Sequence, residues 1–349
     1  MILQDSRTEF MLVDVLKQFE VGKDLAEDKA EECFDALLKE TDEDMLGQLL
    51  LAWNTKGSTS EEIFALARIM RFRAVKIRSK HETFADTVGT GGSKAKTFNV
   101  STAAAFIIAG AVVPVAKHGN RAASSNSGSA DVLAELGVNA AADPETAENC
   151  LNKHGICFMF APNYHSLSPV LAKVRRNLGA PTIFNNLGPL CNPADAPHQV
   201  IGVWHRDLVE KTAEVLSRLG TKRSWVVHGD DGLDEITLNG STTVAEVVNG
   251  SINIFKISPE DFGVSSRQIN DLRVTSPVES SRFVSGILDR SIRQCAAADL
   301  ALINAAAAIY VTGKAKTLSE SLECAKESVN SGAALNKLDK LRSATNTTA

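Results

Sequence analysis

Beyond residue 78, short apolar runs alternate with stretches of helical periodicity. The apolar runs cover residues 112–116, 156–160, 200–204 and 225–228, and the helical stretches include residues 144–153 and 207–219. This alternation is typical of βα units, in which consecutive strands lie parallel and helices cover the sheet. Ligands on such sheets bind at the loops that leave the carboxyl ends of the strands. We therefore predict an α/β domain with a mostly parallel central sheet and a ligand site at that edge.

The first 75 residues predict helices alone. Val13 and Leu16 continue a helical apolar spacing, and Thr59 with Glu62 forms a capping box ahead of another apolar helix. Two alanine-rich helices are predicted between residues 290 and 332, whereas residues 264–282 are polar and loop-like. We predict a small all-helical domain over residues 1–75 and a larger α/β domain with C-terminal helices over residues 76–349. The helical domain has more apolar residues than its own core needs, and the remaining ones would suit an oligomer interface.

Composition excludes several classes of function. The net charge of -5 argues against general affinity for nucleic acid, which needs many phosphates neutralised by Lys and Arg. The longest apolar run, residues 103–116, contains glycine and proline and is shorter than the roughly 20 residues needed to span a bilayer. The N-terminus shows no basic-then-apolar targeting pattern, and the six cysteines are scattered without a CxxC pair. We predict a cytoplasmic protein with reduced thiols, no membrane partner and no nucleic-acid partner.

A glycine-dense loop follows the first predicted strand. The chain reads GTGGS at residues 89–93 and TFNVST at residues 97–102, directly ahead of a helix. Glycines let the backbone approach an oxyanion, and a helix N-terminus offers free N–H groups to it. The loop matches neither a P-loop nor a GxGxxG fingerprint, so nucleotide binding is not supported. It predicts phosphate binding, and the alternative is a structural turn in which Asn99 and Ser101 cap the helix.

A second loop follows the next apolar run. The chain reads KHGNR at residues 117–121 and then carries serines at 124, 125, 127 and 129 before another helix. A lysine beside a serine-rich helix start suits a second phosphate. A solvated serine loop is the alternative. Two such loops one βα unit apart favour a ligand with two phosphate clusters.

Acidic and basic side chains complete the candidate site. Asp230, Asp231, Asp234 and Glu235 crowd behind the apolar run at 225–228, where adjacent carboxylates suit Mg²⁺ shared with phosphates. An acidic surface turn is the alternative. Arg175 precedes the segment TIFNNLGPLCNP and could clamp a carboxylate through its planar fork, or it could be an ordinary surface arginine.

Six motifs occur along the chain in this order: GTGG, TFNVST, KHGNRAASSNSGSAD, RRNLG, TIFNNLGPLCNPA and HGDDGLDE. Together they closely resemble the anthranilate phosphoribosyltransferases, and the similarity covers essentially the whole chain. The resemblance implies transfer of the phosphoribosyl group of phosphoribosyl pyrophosphate (PRPP) to the amine of anthranilate, with release of pyrophosphate, in tryptophan biosynthesis. It also implies Mg²⁺ as cofactor and a homodimer formed through the helical domain. That domain would be completed by residues of about 164–193.

The resemblance also implies roles for individual residues. Catalytic roles fall on Lys117, Asn120 and Arg175, and metal ligation falls on Ser101, Asp234 and Glu235. Contacts with PRPP fall on Gly89, Thr90, Gly91, Gly92, Ser93, Thr97, Asn99, Ser101, Thr102, Lys117, Ser125 and Ser129. Contacts with anthranilate fall on Asn120 and Arg175, with His118 and His165 near the aromatic acid.

The chain departs from the family pattern at two places. Ser93 stands where the family usually has aspartate, which removes a carboxylate from the phosphate loop. Ala180 and Pro181 precede TIFN, where an arginine is usual.

Two alternative functions remain. A pyrimidine nucleoside phosphorylase-like enzyme would not need paired metal-binding carboxylates, and a non-enzymatic nucleic-acid-binding relative would need a basic groove.

Overall fold

The computed structural model describes residues 2–93, 97–122 and 127–346. The strands are β1 Ala85–Gly89, β2 Val115–Gly119, β3 Ile156–Phe160, β4 His198–Gly202, β5 Arg223–Gly229, β6 Thr242–Val248 and β7 Ser251–Ile257. The helices of the first 75 residues are α1 Ile2–Glu20, α2 Ala30–Lys39, α3 Glu43–Lys56 and α4 Ser60–Arg73. The later helices are α5 Val100–Gly110, α6 Ser129–Glu135, α7 Pro144–His154, α8 Ala161–Tyr164, α9 Pro169–Leu178, α10 Ile183–Leu190, α11 Leu208–Arg218, α12 Pro277–Leu288, α13 Ala296–Val311, α14 Leu318–Asn330 and α15 Ala333–Asn346.

The strands form one sheet in the order β3-β2-β1-β4-β5-β6-β7. Strands β1 to β5 pair in parallel, whereas β6 pairs antiparallel with β5 and β7 antiparallel with β6. The predicted fold class, helices first and then a mostly parallel sheet with C-terminal helices, is therefore confirmed. No helix in the described ranges is long and apolar enough to cross a membrane.

Two of the four predicted runs lie partly outside the strands that the structure contains. The run at 112–116 was predicted as a strand, but β2 begins three residues later, where Val115 aligns with Ala85 of β1. The run at 200–204 was also predicted as a strand, but β4 begins two residues earlier at His198, again in register with Ala85. Strand ends are set by hydrogen-bonding partners in neighbouring strands, which apolar patterning does not record. The runs at 156–160 and 225–228 lie within β3 and β5.

The sheet separates two cores. Val200 and Trp225 lie in a core built on α5, α13 and the other C-terminal helices. Their chain neighbours Ile201 and Val226 lie in the opposite core, since successive strand residues face opposite sides. That second core combines α11 with side chains of α1 to α4, α9 and α10. The N-terminal helices and residues 171–191 thus share one buried cluster against one face of the sheet.

A buried carboxylate organises the N-terminal helices. Glu62 and Thr59 form the predicted capping box at the start of α4. The Glu62 carboxylate also accepts hydrogen bonds from the Leu25 backbone at 2.7 Å and from Trp53 Nε1 at 3.0 Å. Lys56 Nζ completes the arrangement as an ion pair at 3.0 Å. Because a buried charge must be paired and hydrogen-bonded, these contacts fix α3, α4 and the segment after α1 relative to one another.

Residues 264–282, for which the sequence predicts no regular element, frame the start of α5. The Phe98 N–H donates to Leu272 O at 3.1 Å, and Thr97 bridges Arg273. The Asn99 N–H donates to Ser280 Oγ at 2.8 Å, at the start of α12. This segment therefore supports the start of α5, and the loop-like prediction is wrong from Pro277 onward, where α12 begins.

Candidate active site

A cavity of about 260 Å³ opens at the carboxyl edge of the sheet. The strand order reverses between β1 and β4, and the loops after β1, β2 and β5 converge beside that point. Such a reversal leaves a crevice in which ligands of open α/β sheets bind. The wall is completed by Arg175 of α9 and by residues of α10. The predicted ligand edge and the observed cavity coincide.

Most of the predicted site residues line this cavity: Gly89, Thr90, Gly91, Ser93, Thr97, Asn99, Ser101, Lys117, His118, Asn120, Ser129, Arg175, Asp234 and Glu235. Three others do not line it. Thr102 is fully buried within α5, His165 lies behind His118 with ring centroids 5.1 Å apart, and Gly92 packs against Trp204. Ser125 lies outside the described residues. For Thr102 and His165, the structure favours packing behind the wall over direct contact with a ligand.

The glycine loop is packed directly against the acidic segment. The Gly91 backbone, at a φ of 70°, donates its N–H to Asp234 Oδ2 at 3.1 Å. A Cβ on Gly89 would lie 3.0 Å from Asp234 Oδ2, and one on Gly202 would lie 1.6 Å from Asp234 O. Side chains at Gly89 and Gly202 would therefore displace Asp234. These glycines are required for contact between backbones, as well as for access to a ligand.

Trp204 supports the same loop from the end of β4. Its N–H donates to Thr90 Oγ1 at 3.2 Å, and a Cβ on Gly92 would lie 2.8 Å from its ring. Ser93 Oγ in turn donates to Gly232 O at 3.0 Å. Ser93, where the family usually has aspartate, thus connects the glycine loop to the loop after β5.

The four clustered carboxylates divide into two pairs. Asp230 forms an ion pair with Lys256 at 2.7 Å, and Asp231 accepts hydrogen bonds from Leu233 N–H and Thr237 Oγ1 within its own turn. Asp234 and Glu235 instead line the cavity. The acidic-turn interpretation holds for the first pair, and the second pair is free to act on a ligand or cation.

Burial and mutual repulsion perturb the Asp234 and Glu235 carboxyls. Burial raises the pKa of both groups, and the neighbouring Asp234 charge helps to raise that of Glu235 to about 8. The Ser101 N–H at the start of α5 partly offsets this by hydrogen bonding to Glu235. Two adjacent carboxylates that resist ionisation without a counter-charge are typical of a cation site.

Lys117 lies at the centre of the cavity floor. It is only 3% exposed, and its Nζ donates to Thr87 O at 2.5 Å and to Ser101 Oγ at 3.2 Å. Burial lowers the pKa of Lys117, while the charges of Asp86 and Glu235 raise it. The ammonium is thus held by oxygen acceptors between two carboxyl groups.

Asp86 is a buried support that the sequence analysis missed. Its carboxylate accepts the His118 N–H at 3.3 Å and Asn192 Nδ2 at 2.8 Å. Burial raises the pKa of Asp86 to about 6, against the opposing effect of Lys117. An aspartate within an apolar strand was a visible signal, because such a residue needs buried partners. Nothing in the sequence around Asn192 indicates such a role, since its contact with Asp86 depends on the path that the chain takes after α10.

The opposite wall presents unsatisfied nitrogen atoms. Arg175 stacks over the Phe184 ring with its guanidinium carbon 4.8 Å from the centroid, and its buried Nε has no hydrogen-bond partner. Burial lowers the pKa of Arg175 to about 10, so it remains charged at neutral pH. His118 Nδ1 lies 3.1 Å from Gly188 O, whereas its buried Nε2 has no partner. Buried polar atoms normally find partners, so both atoms point to a polar ligand in the cavity.

The Nε2 atom of His118 is a hydrogen-bond acceptor. Gly188 O can only accept, so Nδ1 carries the proton in the neutral ring and Nε2 carries a lone pair. Burial, together with His165, lowers the pKa of His118 to about 3. Burial also lowers that of His165 to about 4, and its Nε2 donates to Cys191 O at 3.0 Å. Both rings are neutral at physiological pH.

Asn99 connects three segments around the phosphate loops. It stands at the N-cap position of α5, yet its side chain makes no capping bond. Its Oδ1 accepts from Ser127 Oγ and Ser280 Oγ, each at 2.8 Å, and its Nδ2 donates to Ser127 O at 3.3 Å. The capping alternative for Asn99 is therefore wrong. Its contacts hold the serine loop and α12 against the start of α5.

The donor set fits a hard divalent cation. Ser101, Asp234 and Glu235 line the same part of the cavity with a hydroxyl and two carboxylates, and oxygen donors are what Mg²⁺ prefers. Burial is the main reason that the pKa of both carboxyls is raised, and the charge of Lys117 only partly offsets it at Glu235, so a further cation would be stabilised here. In the described part of the chain no group of three or more His, Cys, Asp or Glu side chains could hold a metal. A cation here would therefore share its remaining positions with water or a substrate.

Comparison with known proteins places this fold and cavity in a class. Residues 81–335 match the model of the glycosyl transferase family, a/b domain, and residues 13–74 match that of the glycosyl transferase family, helical bundle domain. The chain is 43% identical over 329 residues to the anthranilate phosphoribosyltransferase of Natronomonas pharaonis, covering 94% of this chain and 98% of the relative. This chain belongs to the anthranilate phosphoribosyltransferase family.

Solved structures agree with this assignment. The anthranilate phosphoribosyltransferase of Thermus thermophilus matches with a TM-score of 0.87 and 36% identity, covering 96% of this chain and 100% of that chain. The enzyme of Saccharomyces cerevisiae in complex with PRPP and Mg matches with a TM-score of 0.87 and 25% identity, covering 97% and 98%.

Proposed function

We propose that this protein transfers the phosphoribosyl group of PRPP to the amine of anthranilate, releasing pyrophosphate, and so acts in tryptophan biosynthesis. The observation that carries the proposal is the meeting of the glycine loop, Lys117 and the Asp234–Glu235 pair in one cavity whose far wall holds Arg175. An anionic sugar phosphate suits the first wall, and an aromatic carboxylate suits the second. Membership of the family supports the same reaction.

The donor half of the cavity is suited to PRPP. Lys117 offers a positive charge and N–H donors that protein oxygens hold in place. Such preorganised donors stabilise the negative charge that develops on departing pyrophosphate. Ser129 at the start of α6 and Thr97 complete this half.

We assign Mg²⁺ to Ser101, Asp234 and Glu235. When bound, the ion would neutralise charge on the pyrophosphate oxygens and assist their departure. The yeast relative was solved with PRPP and Mg, which supports the choice of metal. The glycine contacts around Asp234 would hold its carboxylate in place for this task.

The acceptor half of the cavity is suited to anthranilate. Arg175 is charged and has an unsatisfied Nε beside Phe184, so it would bind the carboxylate while the phenyl ring contacts apolar surface. His118 Nε2 is a buried acceptor and would receive an N–H from the amine. Asn120 lies at the mouth of the cavity between the two halves and would orient the amine.

The residues suit a mechanism without a strong general base. An aromatic amine is neutral at pH 7 and needs no prior deprotonation, but it is a weak nucleophile. Cleavage of the C1′–O bond would therefore precede attack, through an oxocarbenium-like transition state, as Lys117 stabilises the departing pyrophosphate. Arg175 and His118 would position the amine for attack at C1′, which converts a bimolecular encounter into an oriented one. After the new C–N bond forms, the nitrogen gives up its proton to the released pyrophosphate or to water.

We further propose a helical domain of residues 1–75 completed by residues 164–193, a homodimer formed through this domain, and a cytoplasmic location. The shared buried cluster of the first four helices with α9 and α10 supports this domain division. Leu51 of α3 is exposed on the helical unit and could supply part of the dimer interface.

A direct assay tests the proposed reaction. Anthranilate fluorescence should fall after addition of PRPP and Mg²⁺, and pyrophosphate should appear in equal amount. Chelation of Mg²⁺ with EDTA should stop the reaction, and restoring excess Mg²⁺ should restart it. Absence of turnover at every Mg²⁺ concentration would overturn the assignment, and release of a free base by inorganic phosphate would favour the phosphorylase alternative.

Arg175→Ala should change the KM values of the two substrates to different extents. We expect the KM for anthranilate to rise by about 10- to 100-fold, because a charge-assisted hydrogen bond contributes roughly 1.5–3 kcal/mol. The KM for PRPP should change by less than about threefold. Arg176→Ala, one residue along α9 and exposed, is the matched control and should leave both values unchanged. Equal increases in both KM values would contradict the carboxylate role of Arg175.

A further inference from the structure

Within the described ranges, a second cavity shares no lining residue with the candidate active site. It has a volume of about 610 Å³ and is bordered by α4, by the segment before β4 and by the turn between α11 and β5. Its lining contains five basic side chains: Arg68, Arg71, Lys76, Arg218 and Lys222. We call it the basic groove.

The basic groove is positive in a chain of net charge -5. Asp195 is the carboxylate in its lining, and Glu27 contributes a second from the rim. Asp195 pairs with Lys76 at 2.6 Å, and Glu27 pairs with Arg218 at 3.1 Å. Five basic groups against two carboxylates leave uncompensated positive charge. Lys222 is exposed and forms no ion pair with any described residue.

Several of these side chains are held in place before any ligand binds. Arg71 is only 15% exposed, and its Nε donates to Leu190 O at 2.6 Å. The Arg218 guanidinium carbon lies 3.7 Å from the Phe64 ring centroid, which fixes the plane of its fork. Preorganised guanidinium groups lose less conformational entropy on binding an anion than free side chains do. Phe72, 87% exposed at the rim, offers apolar surface beside the charges.

We propose that the basic groove is a second binding site, separate from the candidate active site, for a small multivalent anion. Its ligand carries two or more phosphate or carboxylate groups, because several positive charges face one cavity of metabolite size. Arg68 and Lys222 lie on opposite sides of the groove, on α4 and after α11, and both contact the ligand. The proposal does not depend on the reaction catalysed at the first cavity.

Calorimetric titration with tripolyphosphate, and in parallel with citrate, tests the proposal in the absence of Mg²⁺. The wild-type protein should show two classes of tripolyphosphate site. Lys117→Met should remove the class that belongs to the first cavity. The double variant Arg68→Gln, Lys222→Gln should weaken the other class by at least tenfold. The citrate arm identifies the preferred group: comparable binding indicates carboxylates, and much weaker binding indicates phosphates.

A charge-matched control distinguishes anion binding in the basic groove from nonspecific electrostatic attraction between the anion and the whole protein. Lys314→Gln with Lys316→Gln changes the net charge equally at exposed positions away from the groove and should leave both classes of site intact. Thermal unfolding should show that both double variants are folded, since the four side chains are exposed. Tripolyphosphate binding that the Arg68→Gln, Lys222→Gln variant leaves unchanged, or equal weakening by both double variants, would overturn the proposal.

Discussion

Replacing Lys117 by methionine should lower kcat/KM for PRPP by about 10²- to 10³-fold, the usual effect of losing one preorganised donor to a developing anion. Methionine keeps most of the side-chain volume, so the loss would report the charge. Lys117 Nζ is held by Thr87 O and Ser101 Oγ on the cavity floor, and among the residues that the structure describes no other lysine lines the cavity. The KM for anthranilate should change much less.

The stability of the Lys117→Met variant distinguishes charge loss from unfolding. Lys117 is buried with a lowered pKa, so its removal eliminates a desolvation cost as well as a favourable interaction with Asp86. Without the ammonium, the pKa of Asp86 should rise further above about 6, because the opposing effect of Lys117 is lost. We expect a folded protein by circular dichroism and thermal unfolding. Activity within threefold of wild type would contradict the role of Lys117.

Gly202→Ala should have the second large effect, although Gly202 bears no functional group. The added Cβ would lie 1.6 Å from Asp234 O, so one backbone must move by more than an ångström. Overpacking of this kind costs about 1–3 kcal/mol of stability, and a 1 Å displacement of a site costs roughly 10²-fold in rate. We expect a lower melting temperature, and an activity loss that excess Mg²⁺ only partly restores.

Gly47→Ala is the matched control for Gly202→Ala. A Cβ at Gly47, in the middle of α3, would meet its nearest neighbours at an ordinary 4.0 Å. Alanine should therefore stabilise the helix by about 0.5–1 kcal/mol and leave kcat unchanged. If Gly202→Ala retained wild-type activity and melting temperature, the close contact with Asp234 would be unimportant.

Sequence patterning was sufficient for the elements and for most of the candidate site. The glycine loop, the Lys117 loop and the acidic segment each carry residue types that few structural roles require together. Their convergence followed from one rule, that loops after parallel strands meet at one edge. Arg175 was recognisable from the motif around it. The sequence alone left its environment open, because its stacking on Phe184 and its unsatisfied Nε arise from the packing of α9 against α10.

The sequence by itself determined the class of fold and the order of the glycine loop, the Lys117 loop and the acidic segment, since local periodicity and loop chemistry encode these directly. Tertiary structure alone decided which carboxylates face the cavity, that Asn99 joins the serine loop to α12, and that Asp86 and Asn192 brace the floor beneath Lys117. It also decided that Gly202 must be glycine. These properties depend on contacts between residues far apart in the chain, where partners are chosen by packing and buried hydrogen bonding, which local sequence does not record.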